Sequence, residues 1–158
     1  ALSFAQTKFN AIVPESKDND DADNESINEI KKITSEVSEL LDKNEIDKAL
    51  KRILKFSASF NQYFQKKEPW ANIEGANNCI YISVNAVHTL AIVLEPYLPF
   101  SAEKIWKQLN LDGSVHEQKW DSASELLIKP NHKLGSVEPL FKKVDAKEIE
   151  VEKRKLGK

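Results

Sequence analysis

Glycine and proline are scarce, four and six in 158 residues, which argues against a sandwich of many short strands, whose tight turns need more of both. Cysteine occurs once, as Cys79 in an apolar setting. A disulfide framework and a thiolate metal site are thereby excluded, and a buried structural thiol in a reducing, cytoplasmic setting is expected. Methionine is absent and the chain opens inside what reads as a helix, so a piece of something longer is expected. An excess of charge of one sign is lacking too. The 23 basic and 25 acidic residues leave a net charge of −2, which exerts no global pull on a polyanion and confines any RNA contact to a local site. No signal peptide and no long uncharged apolar run is evident, so neither export nor membrane insertion is indicated. A glycine-rich phosphate loop, a His-Glu-x-x-His, a G-x-S-x-G and paired cysteines are also missing. Binding or assembly, rather than catalysis, is the role these absences leave.

What is present, 41% apolar and 30% charged residues, suits one soluble globular domain with at most a small appendage. Residues 1–10 place Leu2, Phe4, Ala5 and Phe9 on the buried side of a helix's last turns, closed by Pro14. Residues 15–25 are polar and acidic without periodicity and read as a flexible surface loop; they lack the glycine and terminal glutamate of a calcium loop, so no metal site is expected. Ser26 with Glu29 reads as a capping box for a helix whose Ile27, Ile30, Ile33, Val37 and Leu40 draw an apolar stripe to about Lys43. After Asn44, read as a cap, Ile46, Ala49, Leu50, Ile53, Phe60 and Phe64 continue the rhythm, and so short a link predicts an antiparallel pair.

Residues 76–94 are apolar all round, the mark of a helix at the centre of a bundle. Within it Asn85 requires a partner or a groove to face, and His88, with no second ligand at metal spacing, reads as a satisfied core or boundary residue. Residues 95–99 predict an extended corner. Ser101 then caps a short helix that buries Phe100, Ile105, Trp106 and Leu109. The pieces from Leu126 to Phe141 read as short extended segments, a small hairpin laid over the bundle, and residues 145–158 as an exposed, charged tail helix. The expected fold is all-α, an antiparallel helix bundle over residues 1–144 with a short extended segment, followed by that tail.

The candidate site is the stretch 61–70, Asn-Gln-Tyr-Phe-Gln-Lys-Lys-Glu-Pro-Trp. Pro69 lacks an amide hydrogen and disfavours the helical region for Glu68, so the helix should end near Lys67 and leave Trp70 half exposed on a turn. The indole face offers stacking to an unpaired base, while Lys66 and Lys67 are placed to meet phosphates and Asn61 to add a hydrogen bond. Composition alone points instead to an indole packed back on its own bundle with solvated lysines.

Three segments in order carry a resemblance: residues 60–70, FNQYFQKKEPW; residues 94–106, LEPYLPFSAEKIW; and residues 139–144, PLFKKV. Asn-x-Tyr followed by Pro-Trp, with the later Pro-x-Leu-Pro corner, resembles the carboxy-terminal anticodon-binding bundle of methionyl-tRNA synthetases of the archaeal and eukaryotic type, a class Ia architecture. The resemblance runs from Ala1 to about Asp145. It implies that Trp70 stacks on the first anticodon base, a cytosine, that Pro69 shapes the same pocket, and that the partner is the anticodon loop of methionine tRNA. It further implies that the family's asparagine and arginine pair matches positions ahead of Ala1. The family's His-Ile-Gly-His and Lys-Met-Ser-Lys-Ser signatures do not occur. ATP and methionine would accordingly be bound by a catalytic domain of the parent ligase and no cofactor by this chain. The alternatives are the equivalent bundle of a cysteine, leucine, isoleucine or valine synthetase, or a helical protein-interaction module that reads no RNA.

Overall fold

The computed structural model describes residues 1–141 and 146–156; residues 142–144, the end of the third segment of resemblance, and residues 145 and 157–158 of the tail lie outside it. The helices are α1 (Leu2–Lys8), α2 (Asp21–Asp42), α3 (Ile46–Lys67), α4 (Asn77–Leu94), α5 (Pro99–Gln108) and α6 (Ala146–Leu156), with 3-10 turns at Val115–Glu117 and Trp120–Ser124. No strand occurs among the described residues, and the expected all-α bundle is what forms.

α4 is the axis of the bundle. Its residues Ile80, Ile82, Val84, Ala91 and Val93 are buried on every side, and it packs against α2, α3, α5 and both 3-10 turns. By length and composition it is apolar enough to cross a membrane, contrary to the expectation that no such run exists, but 72% of it is buried inside the protein. Core helices pass the same test because burial on all sides selects the same residues. α2 and α3 pack side by side and antiparallel, with Arg52 reaching Glu29 at 2.9 Å and Glu36 at 2.5 Å across the pair.

Several boundaries differ from the sequence reading. The acidic stretch is only partly a loop, because α2 starts at Asp21, five residues ahead of the expected Ser26 cap. Asp20 accepts the Asp23 N–H at 2.9 Å, and the Asp23 carboxylate accepts the Asp20 N–H at 3.2 Å. This reciprocal pair is an all-aspartate capping box, favoured by the positive end of the helix dipole; Ser26 lies buried inside the helix. Asn44 is not a cap but the left-handed residue of the α2–α3 turn, φ 58°. The 95–99 corner is a tight turn and not extended: Glu95 keeps helical angles, and the N–H groups of Tyr97 and Leu98 both donate to the Leu94 carbonyl. α5 starts at Pro99, whose missing N–H costs nothing in a first turn, so Ser101 does not cap it. Ala102, Ile105, Trp106 and Leu109 then face inward and Phe100 is turned out, 84% exposed, where burial was expected.

The hairpin does not form either. The returning chain pairs with the segment after α1, through an antiparallel bridge Ile12–Lys133 and hydrogen bonds from Val13 N–H to His132 O (2.9 Å) and Leu134 N–H to Ala11 O (2.7 Å). Polar groups on the apolar α4 fasten the rest of this return. The Asn85 carboxamide accepts the Ile128 N–H at 2.9 Å and donates to the Ile128 carbonyl at 3.2 Å, while Thr89 donates to the Ala123 carbonyl at 2.7 Å. Gly135 lies so close to α5 that a Cβ there would meet the Lys107 carbonyl oxygen at 2.6 Å. His88 is buried beside Trp106, ring centroids 5.5 Å apart, but its Nδ1 has no hydrogen-bond partner, so it is not the satisfied residue expected. Burial lowers its pKa to about 4. Cys79 is a buried free thiol, pushed by burial up to about 11 and hence inert.

Candidate functional site

The C-terminus of α3 is stopped by its own sequence. Pro69 closes the right-handed helical region to Glu68, which takes the left-handed conformation at φ 42° and ψ 55°. The Ala71 N–H donates to the Glu68 carbonyl at 2.8 Å and completes a turn in which Pro69 is buried and Trp70 remains 48% exposed. The indole is backed on one side. Its ring lies 6.2 Å from that of Phe64, which in turn meets Phe4 edge-on at 5.9 Å. A row of aromatics thus runs from the turn across α3 to α1, tilted at the Trp70–Phe64 pair and edge-on at Phe64–Phe4, and such pairs hold ring orientation as well as burying area.

Phe64 also belongs to an open groove between α3 and α4, floored by Phe60, Val87 and Leu90 and edged by Ala1, Asn61 and Gln65. Asn61, exposed on α3, therefore stands on the groove that Phe64 also lines. Ser83 opens on the same groove and is buried with its hydroxyl unpartnered. Trp70 does not line the groove and joins it only through Phe64; the half-open indole offers a face suited to a flat ring such as a nucleobase, and the groove beside it an apolar floor with a carboxamide rim.

The two lysines fare differently. Lys66 is exposed but lies in a shallow depression between α2 and α3 with Glu25 and Glu29, on another side of α3 from Asn61. Lys67 does not fit its expected role as a phosphate contact. Its ammonium is committed to Asp20 at 2.9 Å and Asp23 at 2.7 Å, with the side chain only 17% exposed. Burial by itself would lower its pKa, yet the two carboxylates prevail and raise it, so the charge persists but is spent internally. The sequence pattern could not disclose this, because Asp20 and Asp23 lie more than forty residues away. Lys8 is exposed at the end of α1, four residues after Phe4, whose ring meets Phe64. Among the described residues no group of His, Cys, Asp and Glu is arranged to hold a metal ion.

Residues 23–155 match the family model described as the anticodon-binding domain of tRNA ligase. The chain belongs to that family. It is 38% identical to the methionine–tRNA ligase of Sulfurisphaera tokodaii over 97% of its own length and 28% of that protein's. It is 36% identical to the Pyrococcus abyssi methionine–tRNA ligase over 94% of its length and 20% of that protein's. The chain thus spans about a quarter of the curated relatives it matches. Its fold is that of part of the Mycobacterium tuberculosis methionyl-tRNA synthetase, with a TM-score of 0.80 at 22% identity over 91% of this chain and 30% of that one. The RNA-free interaction module is not favoured.

Proposed function

We propose that this domain reads the anticodon of methionine tRNA for a methionine–tRNA ligase, with the first anticodon base stacked on Trp70. The observation that carries this reading is the indole itself, half exposed on a proline-set turn and braced by Phe64 and Phe4 at the edge of an open groove. Pro69 fixes the turn, Asn61 supplies hydrogen bonds from the groove, and Lys66 and Lys8 are the exposed cations nearest in sequence to the aromatic row. In the whole ligase, working in the cytoplasm, a catalytic domain binds ATP and methionine and grips the tRNA elsewhere. Linkage of the two contacts then raises overall affinity through effective concentration.

One stacked base contributes on the order of 1–3 kcal/mol, and with the hydrogen bonds of Asn61 and contacts from the exposed lysines added to it the domain alone should bind a matching stem-loop in the high-micromolar to millimolar range. Titrating anticodon stem-loops that differ only at the first anticodon base, at low salt and with tryptophan fluorescence as readout, tests this. Cytosine should bind best. Equal binding of all four bases would remove the methionine assignment, and submicromolar affinity would show that stacking is not the main contact.

A further inference from the structure

One carboxylate ties down both ends of the turn that carries Trp70. Asp23, in the first turn of α2, is 1% exposed. Its Oδ1 accepts the Tyr63 hydroxyl at 2.7 Å and lies 2.7 Å from Lys67 Nζ; its Oδ2 accepts Asn78 Nδ2 at 3.0 Å. Lys67 is the last residue of α3 and Asn78 the second of α4, so the partners bracket the connection 68–76 from both sides. Asn78 extends the anchorage by accepting the Lys17 N–H at 2.9 Å and donating to the Lys17 carbonyl at 2.7 Å.

The connection has little structure of its own to resist displacement. Three hydrogen bonds span it internally: Ala71 N–H to Glu68 O, Gly75 N–H to Asn72 Oδ1 at 3.1 Å, and Ala76 N–H to Ile73 O at 3.2 Å. Buried Pro69 sets the conformation of its first turn, and the placement of the whole connection against the bundle is set from outside it. A buried ion pair contributes little net stability, because desolvation offsets most of the attraction, but its directional bonds admit one arrangement of the groups they join. The Asp23 carboxylate touches neither the groove nor the indole, so it acts through the chain it holds.

We propose that Asp23 is a positioning residue for anticodon reading, holding Lys67 and Asn78 together so that the turn between them presents the Trp70 indole against Phe64. This rests on the function proposed above, and its test separates the two. The full chain is labelled with 5-fluorotryptophan, and the Trp70 resonance is assigned by Trp70→Phe. In Asp23→Asn that resonance should shift or broaden while those of Trp106 and Trp120 stay in place, and stem-loop affinity should fall on the order of tenfold, about one stacking contact. Arg52→Gln, which breaks the ion pairs in the middle of α2 and α3, should lower stability without either change. Should Asp23→Asn not fold, the double variant Asp23→Leu with Lys67→Met replaces the pair by apolar groups and carries the same readouts. An unmoved Trp70 resonance, or a moved one with unchanged affinity, overturns the proposal. If the unmodified chain shows no preference among stem-loops, the anticodon reading fails, and the fluorine resonance alone decides whether Asp23 places the indole.

Discussion

Trp70 and Phe100 each follow a proline directly and each reach solvent, at 48% and 84% exposure, yet their surroundings have little in common. Pro69 ends a helix, so Trp70 sits on a connection whose position is decided by Lys67, Asn78 and the Asp23 between them. Pro99 begins one, so Phe100 is already helical and its direction follows from Ala102, Ile105 and Trp106 facing the core. A proline-aromatic pair after a helix can be aimed by distant side chains; the same pair at a helix start is aimed by its own helix. The two regions also differ in charge. The Trp70 end is fastened by paired ions, whereas α5 packs Trp106 on His88, a buried ring that burial keeps neutral.

Acid should break the comparison first, and most strongly. His88 binds its proton at about 4 in the folded chain against an ordinary 6.5, so the unfolded state takes up the proton first. Stability is whole above pH 6.5 and falls on the way down to about 4, by up to about 3 kcal/mol. Asp23 behaves differently. Burial would raise its pKa, but the bonds from Lys67, Asn78 and Tyr63 outweigh this and hold it below 3.8, so its contribution is present above that value and lost only in stronger acid. Urea midpoints measured from pH 7 to 3 should therefore show His88→Leu flattening the first loss and Asp23→Asn only the second; a single step removed by neither variant would refute the assignment.

Next in size is stem-loop binding. Trp70→Ala should cost about 1–3 kcal/mol of affinity, while Phe100→Ala leaves affinity unchanged; comparable losses in both would erase the distinction between the two rings. Gly135→Ala should destabilise the fold by about 1–3 kcal/mol, because the new Cβ meets the rigid Lys107 carbonyl at 2.6 Å. Thermal unfolding would reveal it, and an unaltered midpoint would mean that the close approach yields easily. The smallest effect is expected for Phe100→Ser, within about 0.5 kcal/mol of the unmodified chain by urea unfolding, since the ring is 84% exposed.

The helices themselves were legible in the chain. The stripe on α2, the rhythm of α3 and the all-round apolarity of α4 each report which faces are buried, because a helix places residues three and four apart on one side. The proline stop at Pro69 and a half-exposed Trp70 were legible for the same local reason. Starts of helices were less so. Asp20 to Asn24 looks like a loop by composition, and only the reciprocal bonds between Asp20 and Asp23 make it a helix start. Phe100 was misplaced because a hydrophobic residue in a helix is assigned to the core unless the phase of the helix is known.

Local propensity and periodicity thus determined the all-α character, the antiparallel α2–α3 pair and the turn that bears the indole, since these depend on residues within a few positions of one another. Only the tertiary structure decided that Lys67 pairs with Asp20 and Asp23, that the returning chain joins the segment after α1, and that Phe4, Phe64 and Trp70 form one row. Those outcomes join residues far apart in the chain. Hydrogen bonds, ion pairs and ring contacts act over a few ångströms of space, and no spacing along the sequence reports which distant groups the packing brings within that reach.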